Sequence, residues 1–332
     1  MSANEGLTPT DVHPWVAAAL GESACIRFGI SIFPQTPDWR AFIQLVQWME
    51  AHGIDSYWSY DHPRANADCW TALTAFALST ERIWLGTMVD CIFYRPPYLL
   101  ARMAADVDRI SDGRLLLGLG IGDQPDEFAA LGIDYPPVPV RQKGMEETIH
   151  ILRGLWSGEP FAFAGEVFRA SSDGSFLPPV QRPRIPILLG GGGEKVTLRQ
   201  VARFADASNM GAHDTIGHAF TDADVARKFG KLRDYCDEIG RPFASILRSQ
   251  FTMPLILAET RPALARKMAA MPQDTLAWCG PALFAGTPDE AVAFYRDLAA
   301  KGFQYFVANI LGGDEETVEL LAEGVQPAFL PA

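Results

Sequence analysis

The residues of this chain that could do chemistry sit in short punctuated stretches. Gly190-Gly191-Gly192-Gly193 follows the apolar run Pro186-Ile187-Leu188-Leu189 and precedes Leu198, Val201, Ala202 and Ala205, spaced i, i+3, i+4 and i+7. A buried strand, a glycine loop and a helix start thus follow one another within a few residues. Residues without Cβ let backbone N–H groups approach an anion, and a helix N-terminus adds partial positive charge. The stretch reads as a phosphate cradle, with Glu194 directly after it expected among the cofactor contacts; a bare turn needs fewer glycines. His62 follows Asp61 at the end of Ser56-Tyr57-Trp58-Ser59-Tyr60. A histidine there can donate to a bound ring or exchange a proton with it, and a loop histidine bonded to backbone is about as common. Asp61 fits three roles: orienting His62, accepting from a cofactor, or forming a turn. Asp123, after Gly122, suits a ring edge or a proton-bearing substrate, and equally a helix cap. Arg95 could pair with a substrate anion, although surface arginines are commoner.

The elements that must position these residues alternate regularly. Strand-like runs cover 26–33, 56–60, 83–89, 114–120, 186–189, 207–211, 247–257 and 303–310. Helical stripes lie between them, such as Phe42, Leu45, Val46 and Met49, or Leu100, Met103, Ala104 and Val107. Strands that are continuous apolar runs imply a parallel sheet covered by helices. Eight such units predict an α/β fold, the (β/α)8 or TIM barrel, with insertions after strand 4 (158–183) and strand 7 (258–286). The first insertion departs from the pattern in a way that a hairpin would fit. The second is punctuated by Met271-Pro272 and Cys279-Gly280-Pro281, which suits a mobile segment. Residues 1–24 read as a loose arm and 25–330 as one domain. Barrel function sits in the loops after the strands. Met88-Val89, Gly122-Asp123, the glycine run, Asn209 and Asn309 all lie there.

Composition narrows the classes. The chain has 332 residues, 48% hydrophobic and 20% charged, an ordinary globular balance. A net charge of -12 argues against nucleic acid or an anionic membrane as partner. No apolar run approaches the roughly 18 residues of a membrane span. Residues 1–21 lack a basic-then-apolar leader pattern. Five cysteines without a CxxC pair argue against a disulfide framework or a zinc site, so a cytoplasmic setting is expected. Gly118-Leu119-Gly120-Ile121-Gly122 lacks the spacing of a dinucleotide fingerprint, and the run from Gly190 to Lys195 lacks that of a P-loop. A barrel enzyme for phosphorylated substrates, an aldolase or isomerase, would want a lysine or a carboxylate pair at strand ends. No strand here ends in lysine.

Five stretches together resemble one family. They are Arg82-Ile83-Trp84-Leu85-Gly86-Thr87-Met88-Val89, Tyr94-Arg95-Pro96-Pro97, residues 110–120, the Val180-Gln181-Arg182-Pro183 to Glu194 segment, and Ala205-Asp206. They are similar to the bacterial luciferase-like oxidoreductases over about residues 25–330. The resemblance implies reduced FMN or the deazaflavin coenzyme F420 at the C-terminal barrel mouth, its phosphate held by Gly190, Gly191, Gly192, Gly193 and neighbouring N–H groups. It also implies a cis peptide under the ring at the end of strand three, by position Met88-Val89. Asp61-His62 and Gly120-Ile121-Gly122-Asp123 resemble the deazaflavin members, with Asp near the ring, His near its reacting face and an acid close to the substrate. Many relatives instead have Arg-His-Pro at Arg95-Pro96-Pro97 and Gly-Trp at Gly122-Asp123. The expectation is an oxidoreductase or monooxygenase acting on a small organic substrate. F420 is slightly ahead of FMN, and Asp61, His62 and Asp123 handle protons. The alternatives are an FMNH2-dependent two-component monooxygenase served by a separate reductase, and a non-catalytic flavin-binding protein. Homodimers are frequent in the resembled family.

Overall fold

The barrel strands run through residues that are buried almost throughout, and several begin just after a helix ends, as at Gly53, Gly113 and Gly302. The computed structural model describes residues 12–19, 25–32, 38–64 and 66–330. Eight parallel strands form the barrel: β1 (Arg27–Ile32), β2 (Ser56–Ser59), β3 (Trp84–Thr87), β4 (Leu115–Gly120), β5 (Ile187–Gly190), β6 (Ala207–Met210), β7 (Leu247–Thr252) and β8 (Tyr305–Ile310). Neighbours pair in chain order. β8 closes on β1 with Arg27 opposite Tyr305. This is the (β/α)8 barrel expected from the alternation of apolar runs.

Two apolar layers hold it. Trp58, Leu116, Leu188, Ala207, Leu247 and Val307 fill the barrel interior. Gly86 and Gly29 make room for Trp58, since a Cβ on either would lie within 2.5 Å of its indole. The larger layer lies between strands and helices and includes Phe28, Val46, Leu73, Leu100, Ile149 and Val201. The stripe expected for 42–49 belongs to α2 (Trp39–Ala51), whose cap Asp38 accepts from the N–H groups of Arg40 and Ala41.

The arm differs from expectation. Residues 1–11 and 20–24 lie outside the described residues, as does Phe33 at the end of the first strand-like run. Within the arm, α1 (Pro14–Ala17) carries Trp15 into the N-terminal end of the barrel. Trp15 stacks edge-on against Tyr305 at 5.4 Å, and Arg27 donates to its carbonyl at 2.6 Å. A single large aromatic has no periodicity, so burial is its only signal.

Between β4 and β5 lie α5 (Pro125–Leu131), α6 (Val138–Trp156) and, within the expected insertion 158–183, an antiparallel hairpin of residues 161–164 and 169–172. Glu147 of α6 accepts from the N–H groups of Glu166, Val167 and Phe168 at 2.9, 3.0 and 2.8 Å, pinning the hairpin. The strand expected over 247–257 is two pieces, β7 and residues 255–257, separated at the cis Met253–Pro254 bond. The second insertion contains two helices, Arg261–Ala270 and Gln273–Cys279. Among the described residues, no helix is long and apolar enough to cross a membrane.

Candidate functional site

A cavity of about 550 Å³ opens at the C-terminal ends of the strands. One wall is the glycine run after β5. The loop after β6 packs backbone to backbone against it: a Cβ on Gly192 would lie 2.4 Å from the carbonyl oxygen of Gly217. Gly191 has φ +107° and donates to the carbonyl of Asn209 at 3.0 Å. Among the described residues, no acceptor meets the N–H groups of Gly192 and Gly193. Helix α7 (Thr197–Phe204) starts beside them, and Thr197 and Gln200 also line the cavity. The buried ammonium of Lys228 donates to the Gly192 carbonyl at 2.7 Å from behind. These are the ingredients of an anion cradle: close backbone, unsatisfied donors and a helix start.

Glu194, expected among the cofactor contacts, turns the other way. Its carboxylate pairs with Arg227 at 2.9 Å and lies 3.7 Å from Lys228, and it does not line the cavity. The Arg227 guanidinium holds its carboxyl below the ordinary carboxylate range. Asn209 does line the cavity, with its amide donating to Ser249 at 2.8 Å.

The floor lies at the end of β3. The Met88–Val89 peptide is cis, as the resemblance implied, and both residues line the cavity with Leu189, Phe251 and Met253. Val89 also packs onto the cradle, 3.1 Å from where a Gly190 Cβ would sit.

Asp61 reaches the cavity wall but does not orient His62. It takes a two-pronged ion pair from Arg95 at 2.7 and 2.9 Å, and the Cys91 N–H at 3.1 Å. Arg95 is a half-buried ion-pair partner and not a freely exposed surface cation. It also reaches Asp90 at 3.2 Å, and Trp70 donates to the same Asp90 oxygen at 2.8 Å. Asp90 is fully buried. Burial first, then the neighbouring Asp61 charge, pushes its carboxyl well above the usual range. One guanidinium between two carboxylates ties the loop after β2 to the loop after β3. Asp61, Cys69 and Asp90 bring one ligand-type atom each within 4.8 Å of one another, but Arg95 already supplies the cation there.

His62 pairs with a residue that the sequence did not single out. Its Nδ1 lies 3.0 and 3.1 Å from the two carboxylate oxygens of Glu127 in α5. The Tyr94 hydroxyl donates to the same carboxylate at 2.6 Å. Asp123 lies exposed at the cavity rim, after the C-terminal end of β4. Arg141 of α6 was also unforeseen. It is buried and lines the cavity, with its Nε donating to the Pro136 carbonyl at 2.9 Å and its Nη1 to the carbonyls of Ile121 and Gly122. Among the described residues it has no carboxylate partner. The sequence carries no cue for either residue. Trp278 of the second insertion completes the rim.

Arranged so, the site can hold an anion at one end, bed a flat apolar group over Met88 and Val89, and move a proton at His62 or Asp123. Comparisons with known proteins bear on family and fold. The family described as luciferase-like monooxygenase matches residues 15–316. The chain is 27% identical over 305 residues to an F420-dependent glucose-6-phosphate dehydrogenase of Amycolatopsis mediterranei, covering 80% of this chain and 87% of that protein. It spans only about half the length, 48%, of uncharacterised mycobacterial proteins that it matches at 34% identity over 140 residues. Among solved structures, the F420-dependent tetrahydromethanopterin reductase of Methanopyrus kandleri superposes with a TM-score of 0.77 at 20% identity, covering 92% of this chain and all of that one. The oxygenating component of 3,6-diketocamphane monooxygenase of Pseudomonas putida, solved with FMN, gives 0.72 at 17% identity, covering 92% and 100%. These likenesses carry the barrel architecture, and the family match over 15–316 carries the membership: the chain belongs to the luciferase-like monooxygenase family.

Proposed function

We propose that this protein is an oxidoreductase using a reduced flavin-type cofactor, F420 ahead of FMN, to act on a small organic substrate. One observation carries the reading: a single cavity joins the glycine cradle to the Met88–Val89 floor and to His62. The donors suit such a group. The unsatisfied N–H groups of Gly192 and Gly193 and the uncompensated guanidinium of Arg141 suit a phosphate, and a Cβ at Gly192 has no room. Met88, Val89 and Leu189 would back an apolar ring system. When bound, the cofactor supplies hydride or electrons. The protein supplies orientation, exclusion of water and proton exchange at His62 and Asp123. F420 is favoured because Asp61-His62 and Gly122-Asp123 resemble the deazaflavin members and one long match is to an F420-dependent relative. Arg141 is the only lysine or arginine lining the cavity among the described residues, so the outer wall favours an uncharged substrate over a second phosphate.

Parallel fluorescence titrations with F420 and FMN test this. Saturable binding is expected for at least one, tighter for F420. Binding of neither would end the proposal; tighter FMN binding would move it to a monooxygenase served by a separate reductase. His62→Ala is expected to keep cofactor affinity while losing turnover, which a non-catalytic flavin-binding protein would not show.

A further inference from the structure

We infer that Glu127 is the positioning residue that fixes which nitrogen of His62 meets the reacting group. The inference rests on the reading of His62 as the proton-handling histidine. Glu127 is buried, 5% exposed, and does not line the cavity, so it can act only through what it touches. It touches two donors. Both carboxylate oxygens face His62 Nδ1 at 3.0 and 3.1 Å, and one accepts from Tyr94 at 2.6 Å. A carboxylate only accepts, so the hydrogen of that contact sits on Nδ1. Proton exchange with a reactant must then run through Nε2. Burial, with Glu127 beside it, pushes the Tyr94 hydroxyl upward, so Tyr94 stays a donor and does not compete for the Nδ1 hydrogen.

The carboxylate is itself held. Glu127 stands in the first turn of α5, and the adjacent Phe128 is wedged between Tyr94 at 5.2 Å and Tyr135 at 4.9 Å. The helix therefore cannot slide without disturbing the aromatic packing that sets Tyr94. A second partner that fixes the tautomer of a functional histidine is a common device in both metal and acyl-transfer sites. The competing explanation is that Glu127 is merely an acid placed in the first turn of a helix. Such a residue would leave the tautomer of His62 unaffected.

The test is the long-range ¹H–¹⁵N spectrum of ¹⁵N-histidine-labelled full-length protein at pH 8, with the His62 signal assigned by its loss in His62→Gln. The wild type is expected to show His62 as the Nδ1–H tautomer. Glu127→Gln offers an amide that can donate to Nδ1, and the population is expected to move to Nε2–H; Glu127→Asp, which keeps the carboxylate, should stay on the wild-type side. With a substrate in hand, Glu127→Gln should lower kcat on the order of 10²- to 10⁴-fold with KM changed less than about threefold. An Nε2–H tautomer in the wild type, or an unchanged tautomer in Glu127→Gln, overturns the inference. Failure of the wild type to bind either cofactor would instead sink the reading beneath it, so the two failures are told apart. If Glu127→Gln does not fold, the wild-type spectrum and Glu127→Asp still decide.

Discussion

Replacing Gly192 with alanine tests the cradle directly. The added Cβ would lie 2.4 Å from the Gly217 carbonyl oxygen and 3.2 Å from two more backbone atoms of that residue. No flexible side chain can swing away, so one of the two loops has to move. Overpacking of this kind costs about 1–3 kcal/mol. If the glycine loop moves, its N–H groups leave the anion, and the same energy appears as roughly 5- to 150-fold weaker cofactor binding. If the loop after β6 moves instead, the cost appears as a melting temperature lower by several degrees. Fluorescence titration and thermal melts on one preparation read both. Gly230→Ala, in the helix Asp222–Glu238 with open space around its Cβ, is the control. It should raise stability by about 0.5–1 kcal/mol and leave binding unchanged. Wild-type affinity together with wild-type melting in Gly192→Ala would refute the close packing of the two loops and the cradle built on it.

Other consequences follow from the charges. Arg95→Met leaves Asp61 and Asp90 without their shared cation and should lower stability by about 3–5 kcal/mol in urea denaturation; a loss under 1 kcal/mol would contradict the tie between the two loops. Burial lowers His13 to about 4 from an unfolded value near 6.5. The unfolded chain therefore takes up the proton first, and stability should fall as pH drops from about 6.5 towards 4, by about 3 kcal/mol in all. His13→Gln should flatten that limb of the stability–pH curve; an unaltered slope would count against it. Glu194→Gln should change cofactor affinity less than about threefold, because its partner is the exposed Arg227 and not the cavity. A tenfold loss would restore Glu194 to the cradle.

Much of the frame was legible because parallel barrel strands are continuous apolar runs and their helices carry one-sided stripes. The glycine run and the strand-end positions of Asp61, His62, Met88, Val89 and Asp123 could be read for the same reason: local chemistry and chain position coincide there. Pairing across the fold left no trace. Glu127 meets His62 from 65 residues away and Arg95 meets Asp61 from 34, and nothing in spacing or composition joins them. Glu194 shows the converse. Adjacency to the glycines suggested a contact, but the turn into α7 points its side chain at Arg227. Trp15 was read as part of a loose arm because one buried indole makes no pattern. The second insertion looked patternless because its helices are short and little buried, with Leu264 the one fully buried residue of the longer helix.

The most direct test of the account is a crystal structure of the protein soaked with F420 or FMN. The account predicts the cofactor phosphate against the N–H groups of Gly192 and Gly193, with the ring over Met88-Val89 and one edge towards His62. A phosphate bound elsewhere on the barrel rim, with the glycine loop empty, would contradict it.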